Sequence, residues 1–184
     1  MEEKIILAAL EELEIHSVRF TMEDLTRRLH VSKSSLYKYF SSKGLLIHAI
    51  INFLMEEFHK EIDEVREENF SAEEKVRKFI RAYTKVFRYF EHGIYNDLQN
   101  SYPKEWKRWE DFRKQKIKKL LTFMQDGIDA GNFRPINLKI FQFCLLSMSE
   151  RLIDNNFLNE NDLTFSRAIE DFSEILLNGF LIKK

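Results

Sequence analysis

Apolar residues recur with the period of an α-helix along the whole chain. In the first segment, Ile5, Ile6, Ala9, Leu10 and Leu13 fall on one face of a helix. We find no segment with the strict apolar–polar alternation that is typical of a half-buried strand. Gly and Pro are also scarce, at 5 and 2 residues, which favours long helices over turn-rich sheets. The pattern predicts an all-α fold of about nine helices.

Short helices separated by breaks predict a small helix-turn-helix head at residues 1–48. Its first helix is expected at about residues 2–14. Thr21 is placed to cap a second helix and Ser32 a third, because hydroxyl oxygens accept hydrogen bonds from the free N–H groups of a first helical turn. After a further break, a long helix is expected from Lys43 to about residue 67, and it leads out of the head.

Residues 49–184 are predicted to form a second, all-helical domain. Ser71 and Glu74 have the spacing of a capping box, which predicts that the first helix lying wholly within this domain begins there. An irregular stretch is expected from residue 92 to Pro103. The remaining helices are expected at about residues 106–128, 138–155 and 163–182.

Composition excludes several classes of protein. The net charge is −1, so any affinity for nucleic acid must come from a local patch. Cys144 is the only cysteine, which excludes an intramolecular disulfide, and its apolar neighbours predict a buried thiol. The acidic start is unlike a signal peptide and no segment is apolar enough to span a membrane, so we expect a cytoplasmic protein. The histidines lack metal-ligand spacing and no catalytic or nucleotide-binding motif is found, so we expect no metal, no cofactor and no enzymatic activity.

A basic stretch without acidic residues covers the second and third helices. Residues 26–55 contain no Asp or Glu. The basic residues in the first part of this stretch are Arg27, Arg28, Lys33, Lys38 and Lys43. A local excess of positive charge is typical of a phosphate-binding face. A solvated basic surface on an ordinary three-helix domain would give the same pattern.

The order of residues in this region is more specific than its charge. Residues 20–25 read FTMEDL and residues 31–43 read VSKSSLYKYFSSK. This combination closely resembles the DNA-binding domain of the tetracycline-repressor (TetR) family, whose usual run is close to VSKGTLYxYFxSK after a helix led by Thr. The resemblance covers about residues 1–55. It implies a homodimer that binds double-stranded DNA, with a ligand-responsive C-terminal domain, and usually a repressor.

The resemblance also implies roles for individual residues. Phosphates would be held by Thr21, Tyr39 and Lys43. The residues that would face bases or the groove wall are Lys33, Ser34, Ser35, Tyr37 and Lys38. Arg27 from the basic stretch and Ser32 at the start of the third helix complete the candidate DNA-binding set.

Three positions depart from the usual pattern of the family. His30 stands in the turn where Gly is frequent, so we expect a left-handed backbone there, which His tolerates better than most residues. Thr26 replaces a small Ala where two helices cross, and Ser34 replaces a frequent Gly. These departures leave the fold intact and bear on operator preference.

Aromatic residues from several segments surround the expected irregular stretch, where a cavity is easiest to leave. The candidate pocket residues are Phe53, Tyr83, Phe87, Phe90, Tyr95, Trp106, Trp109 and Phe112. We expect them to bind a small, mostly apolar effector. Ordinary core packing would also account for many of these side chains.

The last two predicted helices carry more apolar surface than one face of a helical bundle needs. We expect two copies of this helix pair to form a two-fold, four-helix dimer interface. The candidate interface residues are Phe141, Leu145, Met148, Leu152, Phe172, Leu176 and Phe180.

Together these features predict a ligand-responsive transcriptional regulator that binds a palindromic operator as a homodimer. One alternative is a constitutive DNA-binding protein with a solid core and no effector, and a cavity in the C-terminal domain would argue against it. The other is a helical interaction protein whose head no longer binds DNA. The intact set of Thr21, Tyr39 and Lys43 argues against that second alternative.

Overall fold

The fold is all-α, as the apolar pattern predicts. The computed structural model describes residues 1–63, 70–87, 94–153 and 156–180, together with Tyr89. Within these residues the helices are α1 (Glu2–His16), α2 (Met22–Leu29), α3 (Lys33–Tyr39), α4 (Lys43–Asp63), α5 (Ala72–Phe87), α6 (Ile94–Ser101), α7 (Pro103–Asp129), α8 (Leu138–Ile153), α9 (Asn156–Glu160) and α10 (Phe165–Phe180). A 3₁₀ turn, Ser17–Arg19, follows α1.

The head consists of α1, α2 and α3 packed against the start of α4. Leu25 and Leu36, one from each short helix, are completely buried. His30 ends α2 in the left-handed region, at φ 52° and ψ 42°, which confirms the backbone expected at that turn. Helices as short as α2 and α3 depend on this shared core, because isolated helices of that length are not stable in water.

The body is organised around α4, α5 and α7, which pack against one another. Phe58 of α4 lies at their meeting point, with its ring centroid 5.5 Å from that of Phe79 and 5.6 Å from that of Phe112. Both pairs are edge-to-face, the arrangement that aromatic rings prefer. The Ser71–Glu74 capping box at the start of α5 is present, with Ser71 N–H donating to Glu74 at 2.8 Å and Glu74 N–H donating to Ser71 Oγ at 3.3 Å.

Two short helices, α6 and α9, do not follow from the sequence pattern. The prediction of an irregular stretch up to Pro103 is wrong, because α6 occupies residues 94–101. One side of α6 buries Ile94, Tyr95 and Leu98, and the helix packs against α7 and the 3₁₀ turn. Eight residues are too few to give a strong periodic signal in the sequence, which is why the pattern does not predict α6. The helix is stabilised by this packing.

The prediction of a buried Cys144 is also wrong, because this side chain is exposed. It lies on the outer side of α8 next to Phe143, which is 68% exposed. The apolar sequence around Cys144 therefore divides between two faces of α8, with Phe141 and Leu145 buried and Phe143 and Cys144 exposed.

Gly127 allows α7 to approach the segment that follows it. A Cβ atom at this position would lie 2.3 Å from two atoms of the Phe133 ring and 3.0 Å from the Cβ atom of Ala72. The Phe133 side chain is itself buried, so it has little room to move away.

We therefore expect Gly127→Ala to lower the free energy of unfolding by about 1–3 kcal/mol through overpacking. Gly44→Ala is the matched control, because the nearest atom to its Cβ would be 3.9 Å away. That control should leave stability unchanged or raise it by up to about 1 kcal/mol, since Ala is the better helix former. Urea unfolding of the two variants measures the difference, and equal midpoints would contradict the proposed close contact.

Candidate functional site

The start of α3 is held by a group of serine hydroxyls. Ser32 caps the helix by accepting a hydrogen bond from Ser35 N–H at 3.1 Å. The hydroxyl oxygen of Ser32 also lies 3.0 Å from that of Ser34 and 2.8 Å from that of Ser35. The cap confirms the helix start predicted from Ser32. It places hydroxyl groups on the exposed end of α3, where base edges are contacted in major-groove docking.

The outward side of α3 is basic and aromatic. Leu36 and Phe40 are buried in the head. The candidate residues Lys33, Tyr37, Lys38 and Tyr39 are exposed. The same short helix therefore combines an apolar anchor with a continuous exposed face of amines and phenol groups, which are donors suited to phosphates and base edges.

Thr21 begins α2 with a capping box. Its hydroxyl accepts a hydrogen bond from Asp24 N–H at 3.2 Å, while the Asp24 carboxylate accepts bonds from the Thr21 N–H and hydroxyl, each at 2.7 Å. These hydrogen bonds from Thr21 hold the pKa of Asp24 below its usual value. The carboxylate also pairs with Arg27, whose side chain is largely exposed. Asp24 thus fixes the local arrangement of Thr21 and Arg27 on α2.

Arg28 pairs with carboxylates inside the head and is therefore not part of the exposed basic face. Its guanidinium pairs with Glu11 at 2.7 Å and with Glu12 at 2.5 Å, both on α1. Glu12 is buried, so this pair connects α1 and α2 inside the head. The charge available to a phosphate is therefore smaller than the number of basic residues in the sequence suggests.

Lys43 joins the start of α4 to the segment before α2. Its ammonium group donates hydrogen bonds to the backbone carbonyls of Val18, at 2.5 Å, and Phe20. It also lies 4.4 Å from the centre of the Phe20 ring. Partial burial lowers the pKa of Lys43. An ammonium has three N–H donors, so two carbonyl contacts leave one for a phosphate.

Polar contacts connect the head and the start of α4 to the body. Ser17 donates a hydrogen bond to Asp97 of α6 at 2.7 Å. His48 of α4 lies 3.0 Å from Glu105 of α7 through its Nδ1 atom. Burial alone would raise the pKa of Glu105, but His48 and Arg108 hold it below the usual value. No sequence pattern indicates these contacts, because their partners are far apart along the chain.

The aromatic candidates for a pocket are brought together in the body. Trp109, Tyr83, Tyr95 and Phe112 are buried, while Phe53 and Trp106 are half-buried. The ring centroids of Trp109 and Phe112 are 5.6 Å apart, and those of Tyr95 and Trp106 are 3.8 Å apart. Phe90 and the side chain of Phe87 lie outside the described residues. The described rings form a close-packed aromatic cluster in this structure.

A buried ion pair that no sequence motif indicates lies within this aromatic cluster. Arg113 is 1% exposed, and its guanidinium lies 3.0 Å from one carboxylate oxygen of Glu110 and 3.1 Å from the other. Tyr95 donates a hydrogen bond to the same carboxylate. Tyr83 donates a hydrogen bond to Ser149 at 3.1 Å. Burial favours the neutral form of Arg113, but Tyr83, Tyr95 and Glu110 keep its pKa above the usual value.

Most of the candidate interface residues face the interior of the single chain. Phe141, Leu145 and Leu152 are buried, because this stripe of α8 packs against α7 and α10. Met148, Phe172 and Leu176 are half-buried against the same core, and the side chain of Phe180 lies outside the described residues. Among the described side chains of α8, α9 and α10, the large apolar ones that are more than half exposed are Ile140, Phe143, Phe157 and Ile175. The dimer interface itself stays a prediction, and these exposed side chains are further candidates for it on the same helices.

Membrane-spanning helices and metal sites are both absent from the described parts of the chain. No helix there is long and apolar enough to cross a membrane. The same residues include no group of three or more His, Cys, Asp or Glu side chains arranged to hold a metal ion.

Comparison with protein families covers both the head and the body. The family described as "Bacterial regulatory proteins, tetR family" matches residues 5–50. The family described as "Tetracyclin repressor-like, C-terminal domain" matches residues 69–181. The second match alone covers more than half of the chain.

Relatives match over nearly the whole length. The HTH-type transcriptional regulator YvaF of Bacillus subtilis (strain 168) is 24% identical over 180 residues, which are 97% of this chain and 95% of YvaF. A TetR-family transcriptional regulator from Marinobacter aquaeolei VT8 has a TM-score of 0.78 at 19% identity, covering 99% of this chain and 91% of its own. The transcriptional regulator FadR from Bacillus subtilis, crystallised in complex with stearoyl-CoA, has a TM-score of 0.71 at 16% identity, covering 97% and 99%.

The solved structures establish the fold, and the family matches extend that agreement to the sequence of both halves. The exposed basic face of α3, carried by a short helix that is capped by Ser32 and anchored by Leu36, lies in the matched N-terminal segment. The chain therefore belongs to the tetracycline-repressor (TetR) family of DNA-binding bacterial transcriptional regulators.

Proposed function

We propose that this protein is a cytoplasmic, ligand-responsive repressor that binds a palindromic DNA operator as a homodimer. The observation that carries the proposal is the exposed face of α3, on which Lys33, Tyr37, Lys38 and Tyr39 project away from the buried Leu36. A helix presented in this way fits the major groove and offers donors to both bases and phosphates.

Phosphate contacts would fix the position of the head on the duplex. Lys43 lies at the start of α4, and its remaining N–H donor would reach a phosphate next to the groove that holds α3. Thr21 and Tyr39 would hold the adjoining phosphates. Ser34 and Lys38 would contribute more to base preference, since they belong to α3 itself.

The homodimer would form through the outward faces of α8, α9 and α10. Phe143 and Ile175 are 68% and 70% exposed, values that are unusual for large apolar side chains on a single chain. A two-fold interface would cover them and would place two α3 helices on one side of the DNA. Operator binding would require these helices to be separated by roughly 34–36 Å, one turn of the duplex.

An effector would bind in the body and act on the head through α4 and α6. α4 is one continuous helix shared by both regions, and Asp97 of α6 contacts Ser17 at the base of the head. A ligand that favours one tilt of α4 would change the separation of the two α3 helices. By linkage, ligand and DNA would then weaken each other's binding by the same factor.

A constitutive DNA-binding protein is the second candidate, and the close packing of Trp109, Phe112 and Phe58 favours it. A solid core would leave no room for an effector unless the aromatic cluster opens. Ligand binding that perturbs the fluorescence of Trp106 and Trp109 separates the two candidates, because a constitutive protein would give no such response.

The role of Lys43 is tested by the salt dependence of DNA binding. Lys43→Met keeps an unbranched apolar side chain at this position but removes the charge next to Phe20, so binding to duplexes of any sequence should weaken. The slope of log K against log salt should fall by about 0.9 for each phosphate that the variant no longer neutralises. Fluorescence anisotropy with a mixed-sequence duplex measures this slope.

Lys118→Met on α7 is the matched control, because it removes the same charge from an exposed position in the body. Its slope should equal that of the wild type. Urea unfolding of Lys43→Met shows how much of any weakening comes from the carbonyl contacts to Val18 and Phe20. A folded Lys43→Met protein with an unchanged slope would remove Lys43 from the phosphate contacts.

The proposed interface is tested by charge substitutions on its most exposed residues. Phe143→Glu combined with Ile175→Glu should give a monomer at micromolar concentration, because two buried carboxylates per subunit would oppose association. Ile15→Glu is the control, since Ile15 is 61% exposed on α1 in the head. It should remain a dimer in analytical ultracentrifugation. A monomeric wild-type protein, or a dimeric double variant, would refute this interface.

A further inference from the structure

The buried Arg113–Glu110 pair is a costly feature of the body. Arg113 is 1% exposed and lies among aromatic rings, where an apolar side chain of similar volume would pack well. Removing the guanidinium charge from water costs several kcal/mol, and an ion pair with the partly exposed Glu110 seldom recovers more than this cost. The fold therefore gains little from having a charge at this position, and a binding role accounts for it better.

The Arg113 guanidinium and the Tyr95 hydroxyl, which surround the Glu110 carboxylate, are arranged to bind an anion. The guanidinium of Arg113 lies 3.0 Å from one carboxylate oxygen and donates a hydrogen bond to the other at 3.1 Å, and the Tyr95 hydroxyl donates a second hydrogen bond. A planar guanidinium that contacts both oxygens matches the geometry of a carboxylate. Glu110 is the residue that currently fills this site.

The site is closed on one side and open on the other. Arg113 and Tyr95 are buried, whereas Glu110 lies at the edge of a surface depression. The residues that line this depression include Tyr95, Trp106, Lys107, Glu110 and Lys114. Lys107 precedes Glu110 by three residues on α7 and Lys114 follows it by four, so both are helical neighbours of its carboxylate. Glu110 could thus exchange a buried partner for an exposed one by a change of rotamer.

We propose that the effector is an apolar carboxylic acid whose carboxylate replaces that of Glu110 on Arg113 and Tyr95. Glu110 turns outward to Lys107 or Lys114, so the buried charge stays paired throughout. The apolar part of the acid lies in the surface depression against Trp106 and Tyr95. This inference rests on the proposed ligand response, and it narrows the effector from a small apolar molecule to an acid.

The test is direct binding of carboxylates and their matched alcohols, followed by Trp fluorescence and calorimetry without DNA. The probes are straight-chain acids from hexanoate to hexadecanoate and 2-naphthoate, each compared with the alcohol of the same carbon skeleton. At least one acid should bind about tenfold more tightly than its alcohol, since a charge-assisted hydrogen-bond pair is worth that much.

Two substitutions on the same helix separate the site from general charge effects. Glu110→Gln removes the competing carboxylate and should tighten acid binding by about tenfold without changing alcohol binding. Asp126→Asn makes the same change of charge at an exposed position on α7 outside this depression and should leave both affinities unchanged. Arg113→Met should abolish the preference for acids, and Arg113→Lys should reduce it if the Met variant does not fold.

Equal binding of acids and alcohols, binding of no acid in the series, or equal effects of the Glu110 and Asp126 substitutions would each overturn the inference. The same preparations are tested for binding to duplex DNA. If DNA binding is intact while the acid preference is absent, the carboxylate site is refuted and the DNA-binding function stands. If DNA binding fails while acids still bind more tightly than alcohols, the DNA-binding function is refuted and the carboxylate site stands.

Discussion

The apolar face of α4 holds the two regions of the molecule together. Leu46, Ile47, Ile50, Leu54 and Phe58 are all buried along it, the first of them against the head and the last within the body. Because α4 is one unbroken helix, a displacement at Phe58 can be transmitted along it to its start at Lys43. The proposed regulation of the head from the body would depend on this continuity, because packed interfaces with two alternative arrangements can amplify a small shift.

Polar contacts between the head or the start of α4 and the helices α6 and α7 restrict how α4 can move. Ser17 is tied to Asp97, and His48 lies between Glu105 and Arg108, which are on consecutive turns of α7. These pairs have little effect on the fold compared with the apolar core, but they define which side of α4 rests on which helix. The buried Arg113 lies further along α7, so one helix carries both the contacts to His48 and the proposed acid site.

Local features of the fold can be predicted from the sequence, and features set by tertiary packing cannot. The helix starts at Thr21, Ser32 and Ser71 depend on side chains two or three residues from the backbone groups that they cap. The short helix α6 escapes prediction because its stability comes from burial against α7. The stripe through Phe141 on α8 is apolar enough to predict burial, but the sequence alone cannot say whether a second subunit or the same chain covers it. Arg113 gives no signal because it stands in a run of lysines and arginines that resembles a solvated helix face.

The most direct test of the account is selection of binding sites by the full-length protein from a pool of random duplexes. The account predicts enrichment of an inverted repeat whose half-site centres are about one helical turn apart, because two α3 helices related by a two-fold axis must read the same sequence on opposite strands. Enrichment of no sequence over the starting pool, or of a single unrepeated half-site, would contradict a dimeric regulator that reads DNA through α3.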